Sequence, residues 1–275
     1  MSSVESITTT LRAAGCVFAE EEAALLIDAA LTPADLDRMI DRRVAGYPLE
    51  QVLGWVEFWG LRLAVAPGVF VPRRKSELIV REAAAVTTPG SLVIDLCCGC
   101  GALGRALAAA VAPVAVYASD IDPAATDCAR QNLAPVGGHV YRGDLFAPLP
   151  EFLRGSVDIL LCNAPYVPSD RIRTLPPEAR LHEPRVTLDG GADGLDVLRR
   201  VALDAPQWLR PGGQLFVESS ASQAPVVAGF FHTAGLTSRI AHSDEIEATA
   251  VIGAAPARVR AAPSVGPSAA PSVER

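Results

Sequence analysis

A chain of 275 residues, half of them apolar and 20% charged, can bury one large core and a second small one, as a soluble globular protein does. Its formal net charge of -7, with Lys75 the only lysine, argues against a broad electrostatic grip on nucleic acid, which needs clustered basic side chains. No run of about 18 apolar residues exists, so no membrane span is expected. Met1 to Thr10 lacks a basic start and an apolar stretch, so no signal peptide is expected either. The six cysteines are then read as reduced, cytoplasmic thiols. Cys97 and Cys100 have metal-ligand spacing, but His139, His182, His232 and His242 lie scattered singly and supply no second pair of ligands, so no metal site is expected.

Residues 1–46 read as a small helical module. Glu20 to Ala30 is rich in Ala and Leu. Thr32-Pro33-Ala34-Asp35 then supplies an N-cap residue, a proline at the first helical position and an acid three residues after the cap. Leu36, Met39, Ile40 and Val44 follow at helical spacing until Gly46 ends the pattern. From Trp55 the period changes. Leu61, Leu63 and Val65 alternate with Arg62, Ala64 and Ala66, and Gly60 stands at a turn, so residues 47–70 are expected to form a β-hairpin linker. Phe70-Val71-Pro72-Arg73-Arg74-Lys75-Ser76-Glu77 is a basic loop opening a helix that runs to about Val86. By charge pattern alone it is a solvated helix start.

Residues 71–255 alternate strand and helix. Strands are expected at 92–96, 114–119, 139–142, 157–162 and 214–219, with helices at 102–111, 123–134, 193–204 and 222–234. Such alternation implies an α/β fold whose mostly parallel sheet is covered on both faces. Two more strands, at 236–241 and 249–253, follow Gly235, the last antiparallel at the edge. Residues 256–275, rich in Ala, Pro and Ser, read as a disordered tail.

Chemistry is expected where these strands end, because open α/β sheets bind ligands at the carboxyl ends of their strands. Cys97-Cys98-Gly99-Cys100-Gly101 follows the first parallel strand, and its glycines let a ligand approach the backbone. Alone it is a tight strand-to-helix turn without dinucleotide spacing. Asp120 closes the second strand about 20 residues later, where an acid can accept both hydroxyls of a ribose. Asp122-Pro123 reads as a helix cap. Asp144 and Leu145 close the third strand and can meet the amino group and ring of adenine. Asn163-Ala164-Pro165-Tyr166 closes the fourth. The Asn163 side-chain carbonyl and the Ala164 main-chain carbonyl can accept hydrogen bonds from an –NH2 group, and Tyr166 can pack on a planar substrate. By itself this stretch equally suits a turn closing a core strand.

Together, Asp95-x-x-x-Gly99-x-Gly101, the acid after the second strand and Asn163-x-Pro165-Tyr166 resemble a class I, Rossmann-like S-adenosylmethionine-dependent methyltransferase acting on a planar –NH2 group. Tyr47 to Gly54, Phe58-Trp59-Gly60, Pro67 to Arg73, Glu183-Pro184 and Asp189 to Leu195 are similar to the HemK/PrmC-type protein-(glutamine-N5) methyltransferases. That resemblance, over about residues 43–253, implies methylation of a glutamine amide nitrogen in a protein, typically in the Gly-Gly-Gln motif of a peptide-chain release factor. It places the cofactor's methionine against Cys97 to Gly101, its ribose on Asp120, its adenine near Asp144 and Leu145, and the substrate amide on Asn163 to Tyr166. It also gives residues 1–46 the role of substrate recognition.

The chain departs from the family pattern at three places. Ala164 stands where proline is usual, Cys97 where glycine is usual, and Pro72-Arg73-Arg74-Lys75-Ser76-Glu77 where Pro-Arg-Pro-Glu-Thr-Glu is usual. Two other readings stand beside the main one: a nucleic-acid adenine amino-methyltransferase, which the same Asn-x-Pro-Tyr suits, and a non-catalytic cofactor-binding protein. Gly212-Gly213-Gln214 repeats the substrate motif within this chain, but it precedes an apolar strand, where a turn is expected.

Overall fold

The computed structural model describes residues 3–257, so most of the expected tail lies outside the described residues. Four helices come first: α1 (Val4–Ala13), α2 (Ala19–Ala29), α3 (Pro33–Val44) and the short α4 (Leu49–Leu53). The Thr32 hydroxyl accepts from the Asp35 N–H at 3.1 Å and starts α3, while the Asp35 carboxylate accepts from the Leu31 N–H. Ile7, Leu11, Ala23, Leu26, Met39 and Val52 close into an apolar cluster of their own. Helix α4 was not expected within residues 47–70. Its five residues are too few to show helical periodicity, and Val52 turns into the cluster of the preceding helices. The hairpin itself is β1 (Trp55–Phe58) and β2 (Leu61–Ala64), antiparallel, turning at Trp59 and Gly60 with φ of 54° and 66°. Positive φ at both turn residues matches the twist of a two-residue hairpin loop.

A 3₁₀ turn (Arg74–Ser76) leads into α5 (Glu77–Ala84), and the alternation begins: β3 (Leu92–Leu96), α6 (Ala102–Ala110), β4 (Ala115–Asp120), α7 (Pro123–Leu133), β5 (His139–Arg142), β6 (Val157–Cys162), α8 (Pro177–His182), α9 (Asp196–Trp208), β7 (Leu209–Glu218), α10 (Ala224–Thr233), β8 (Thr237–Ser243) and β9 (Ala248–Ala254). Seven strands form one sheet in the order β5-β4-β3-β6-β7-β9-β8. The first five are parallel, while β9 runs antiparallel to both β7 and β8. Alternate residues feed opposite faces. Val93, Val116, Ile159 and Phe216 pack with α5, α6, α7 and the hairpin, whereas Ile94, Leu160, Leu215 and Val251 pack with α9 and α10. The order of strands reverses at β3, with β4 on one side and β6 on the other. A crevice therefore opens above their carboxyl ends.

Three expectations need correction. Helix α9 starts at Asp196 and continues past Ala205 to Trp208, because Leu198, Val201, Ala202, Ala205 and Trp208 form one buried stripe. Strand β7 begins at Leu209, so Pro211-Gly212-Gly213 lies inside the strand as a bulge: Val157 pairs with Leu209 and Ile159 with Gln214. Gln214 is thus held in the sheet between Ile159 and Ala254. The last strand is not at the edge. All but the final residue of β9 are buried, and it enters between β7 and β8, leaving the half-exposed β8 outside.

Candidate active site

The crevice is a cavity of about 510 Å³, within the range of small-molecule sites. Its lining includes Cys97, Cys98, Gly99, Cys100, Asp120, Asp144, Leu145 and all of Asn163 to Tyr166, which the fold brings together from four strand ends. Gly101 is the exception among the expected residues. It turns the chain into α6 at φ 78° and backs onto Leu133 and Ala129 of α7, so it shapes the loop from behind.

The loop after β3 is anchored at several points. Asp95 is fully buried, and its Oδ2 accepts from the Gly104 N–H at 2.9 Å, joining β3 to α6. Burial pushes its carboxyl up to about 8, opposed by the Gly104 hydrogen bond, and Oδ1 has no partner. The Cys98 N–H donates to the Ser119 carbonyl at 3.1 Å. Cys97 sits at φ 51°, in the region that favours glycine, so its side chain strains the backbone there. Its thiol is held in the protonated form, first by a hydrogen bond with Cys162 and then by burial. At Gly99 a side chain would meet nothing within 4 Å, so the backbone there faces open space that a ligand can occupy.

Asp120 at the end of β4 accepts from the Gly99 N–H and the Asp122 N–H, each at 2.9 Å and one to each oxygen. Burial raises its pKa and the two N–H groups oppose the rise. Each oxygen keeps a lone pair for a hydroxyl. Asp122 caps α7 through the Ala124 N–H at 2.8 Å. After β5, Asp144 takes an ion pair from Arg200 of α9 at 2.6 Å, and Leu145 is buried at φ 49° with its carbonyl accepting from the Ser119 hydroxyl.

After β6, the Asn163 Nδ2 donates to the Ser76 hydroxyl at 3.0 Å, which donates to Glu218 Oε2 at 2.6 Å. The Tyr166 hydroxyl donates to Glu218 Oε1 at 2.8 Å. Glu218 ends β7 and is 4% exposed; burial raises its pKa, against the hydrogen bonds from Ser76 and Tyr166 and the charges of Lys75 and Arg73. Tyr166 is pushed well above the ordinary phenol range, first by burial and then by the Glu218 charge. The far side of this loop leans on the stretch before α9. The Gly190 N–H donates to the Val167 carbonyl, and Gln223 donates to the Tyr166 carbonyl, both at 2.9 Å. A β-carbon on Gly194 would lie 2.3 Å from the Tyr166 carbonyl oxygen, and one on Gly190 would lie 2.7 Å from that of Pro165. Arg73, with its guanidinium 5.1 Å from the Phe70 ring centre, pairs with Glu183, which also accepts from the Val71 N–H.

Ser76, Glu218, Arg200 and Gln223 were not picked out from the sequence. Glu218 alone carries a local signal, an acid closing an apolar strand as Asp120 does. The others become site residues only through partners at least 56 positions away. Among the described residues no helix is long and apolar enough to cross a membrane, and no group of three or more His, Cys, Asp or Glu could hold a metal ion.

Residues 61–175 match the family model of the methyltransferase small domain. The chain is 35% identical to the release factor glutamine methyltransferase of Mycolicibacterium smegmatis, over 88% of this chain and 92% of that protein. It is 36% identical to the 4-amino-L-phenylalanine/4-methylamino-L-phenylalanine methyltransferase of Streptomyces pristinaespiralis, over 71% of this chain and 69% of that one. A methyltransferase structure from Pyrococcus furiosus, 15% identical, shares the fold with a TM-score of 0.55 over 80% of this chain and 98% of that one. Sheet order, open glycine turn and family match together define a class I methyltransferase whose cofactor is S-adenosylmethionine. The open face of Gly99 and the two free lone pairs of Asp120 fit that cofactor's adenosine and amino-acid ends. Within the class, the chain belongs to the release factor glutamine methyltransferase family.

Proposed function

We propose that this protein methylates the side-chain amide nitrogen of a glutamine in a protein, the Gly-Gly-Gln segment of a peptide-chain release factor. One observation carries the reading. The Asn163 side-chain oxygen and the Ala164 carbonyl belong to residues that line the cavity, and among the described residues no donor reaches either oxygen. They are two free acceptors for the two N–H bonds of a primary amide.

S-adenosylmethionine, when bound, supplies an electrophilic methyl group. In this reading Asp120 holds the ribose, Asp144 and Leu145 meet the adenine, and Cys97 to Cys100 border the amino-acid end. An amide nitrogen is a weak nucleophile because its lone pair is delocalised into its carbonyl. Asn163 and Ala164 accept its two hydrogens and so fix the direction of the lone pair, while the Tyr166 ring packs on the amide plane. The two oxygens also favour the positive charge that develops on nitrogen. As the C–N bond forms the methyl–sulfur bond breaks, its electron pair staying on sulfur; the extra proton on nitrogen then passes to solvent, so no strong base is required. Ala164 serves as well as proline because the group used is a main-chain carbonyl. The helices of residues 1–46 receive the protein substrate; in the turn between α1 and α2, Val17 and Phe18 stand 83% and 66% exposed. The six free thiols suit the reducing cytoplasm.

The test is transfer of radiolabelled methyl from S-adenosylmethionine to a purified release factor, to total protein and to nucleic acid, offered separately. Label is expected on the Gly-Gly-Gln glutamine. Asn163→Ala is expected to bind cofactor normally and to lose turnover by about 100-fold or more, the cost of removing one preorganised polar group. Label confined to nucleic acid would overturn the reading.

A further inference from the structure

The hydrogen-bond directions around Glu218 follow from its ionised form, which the hydroxyls of Ser76 and Tyr166 and the charges of Lys75 and Arg73 favour against burial. An ionised carboxylate only accepts, and both of its neighbours are hydroxyls aimed at it: Ser76 at 2.6 Å on one oxygen and Tyr166 at 2.8 Å on the other. The single hydrogen of Ser76 is therefore committed to Glu218. Only lone pairs of Ser76 Oγ remain for Asn163, so the Asn163 atom 3.0 Å away must be the donor Nδ2. With the amide nitrogen turned to Ser76, the amide oxygen is the atom left for the cavity.

We propose that Ser76 and Glu218 are positioning residues: they fix the Asn163 side chain oxygen-outward, so that the site offers acceptors to a nitrogen bearing two hydrogens. This rests on the reading of Asn163 given above and adds the machinery that enforces it. Three distant parts of the chain meet here. Ser76 comes from the turn before α5, Glu218 from the end of β7, and Asn163 from the loop after β6. The same carboxylate grips Tyr166, so it sets both ends of the Asn163–Tyr166 segment. A flipped Asn163 would present an NH2 donor to the cavity and favour a carboxylate or carbonyl instead. A site committed to accepting from substrate N–H rejects analogues that lack it, because its own polar groups are then left unpaired.

The test uses the full chain with Ser76→Ala, Ser76→Thr and Glu218→Gln. A glutamine at 218 can donate as well as accept, so Ser76 is freed to donate to a flipped Asn163. Ser76→Ala and Glu218→Gln are expected to lower kcat about 10- to 100-fold, as a displaced positioning group does. Cofactor affinity and substrate KM are expected to stay within about threefold, the signature of an interaction made mainly in the transition state. Ser76→Thr keeps a hydroxyl and is expected to recover most of the turnover lost in Ser76→Ala, which separates positioning from folding. Independently, in protein labelled with 15N-asparagine, the Nδ2 protons of Asn163 should exchange more slowly with water in the unsubstituted protein than in Ser76→Ala. Unchanged kcat in both Ser76→Ala and Glu218→Gln would overturn the proposal, as would unchanged exchange at Asn163. Should the unsubstituted protein label no glutamine, the substrate reading fails, and the exchange measurement, which needs no substrate, still decides this one.

Discussion

Asp95 carries no direct job at the substrate, yet it is the most buried acid of the site, with one oxygen on Gly104 and the other unpartnered. Its carboxyl is pushed from 3.8 up to about 8 by burial, so the folded protein holds this proton more tightly than the unfolded chain does. The sign follows from linkage. The stabilisation due to protonation is complete below 3.8 and is lost as pH rises through about 8. Asp95→Asn keeps an oxygen for the Gly104 N–H and removes the titration. The stability of the unsubstituted protein, measured by urea unfolding across this range, is therefore expected to fall more steeply with rising pH than that of Asp95→Asn. Parallel pH profiles would show that the Asp95 proton plays no part. Cys97 adds a different kind of single-residue effect: a side chain at positive φ, tolerated where the thiol also meets Cys162.

At the scale of elements, what the sequence reveals is local. Strands β3, β5 and β6 lie where expected: β3 and β6 are short apolar runs, and the four residues of β5 are bracketed directly by Gly138 and Gly143. Asp120 and Asn163 were legible for the same reason, since a polar residue closing an apolar strand points to the mouth of the sheet. What was not legible depends on distant packing. The five-residue α4, the bulge in β7 and the insertion of β9 between β7 and β8 are decided by neighbours that no window along the chain contains. The segment Asp189 to Leu195 shows the gap well. Its glycines resemble an ordinary loop, but Gly194 is where the backbone passes against Tyr166. Gly194→Ala would put a β-carbon 2.3 Å from the Tyr166 carbonyl oxygen at a φ of 78° that side chains rarely adopt. The chain must then shift the Asn163–Tyr166 segment. Turnover is expected to fall about 100-fold for a displacement near 1 Å, with cofactor affinity nearly unchanged because Asp120 lies on another strand. Equal turnover in Gly194→Ala would mean that the segment is not positioned from this side.

Across the whole molecule, a buried arginine takes part in joining the N-terminal helices to the crevice. Arg43 of α3 holds Glu22 of α2 with Nε at 2.5 Å and Nη2 at 3.0 Å, donates to the Tyr47 carbonyl, and reaches Glu178 of α8 at 2.7 Å. The Tyr47 ring lies tilted against that of His182 with ring centres 4.1 Å apart, and His182 in turn contacts the Ala45 carbonyl at 3.2 Å. Glu178 lines the crevice, so the grip on α8 reaches the site itself. Burial alone would lower the Arg43 pKa, but Glu22 and Glu178 more than reverse it, and the guanidinium stays charged. Buried pairs of this kind add little net stability over apolar residues of similar shape, yet breaking one strands the surviving charge. Arg43→Ala, which leaves Glu22 buried and unpaired, is expected to cost about 3–5 kcal/mol in urea unfolding. Glu22→Leu combined with Arg43→Met is expected to recover most of that loss, because no buried charge is left behind and the released Glu178 is half-exposed to water. The two variants should nevertheless agree in catalysis. Both release Glu178, so both are expected to raise KM for the protein substrate while leaving cofactor affinity alone. If the double variant restored stability and KM together, the link from Arg43 to α8 would be structural only, and the helices would receive the substrate without help from this contact.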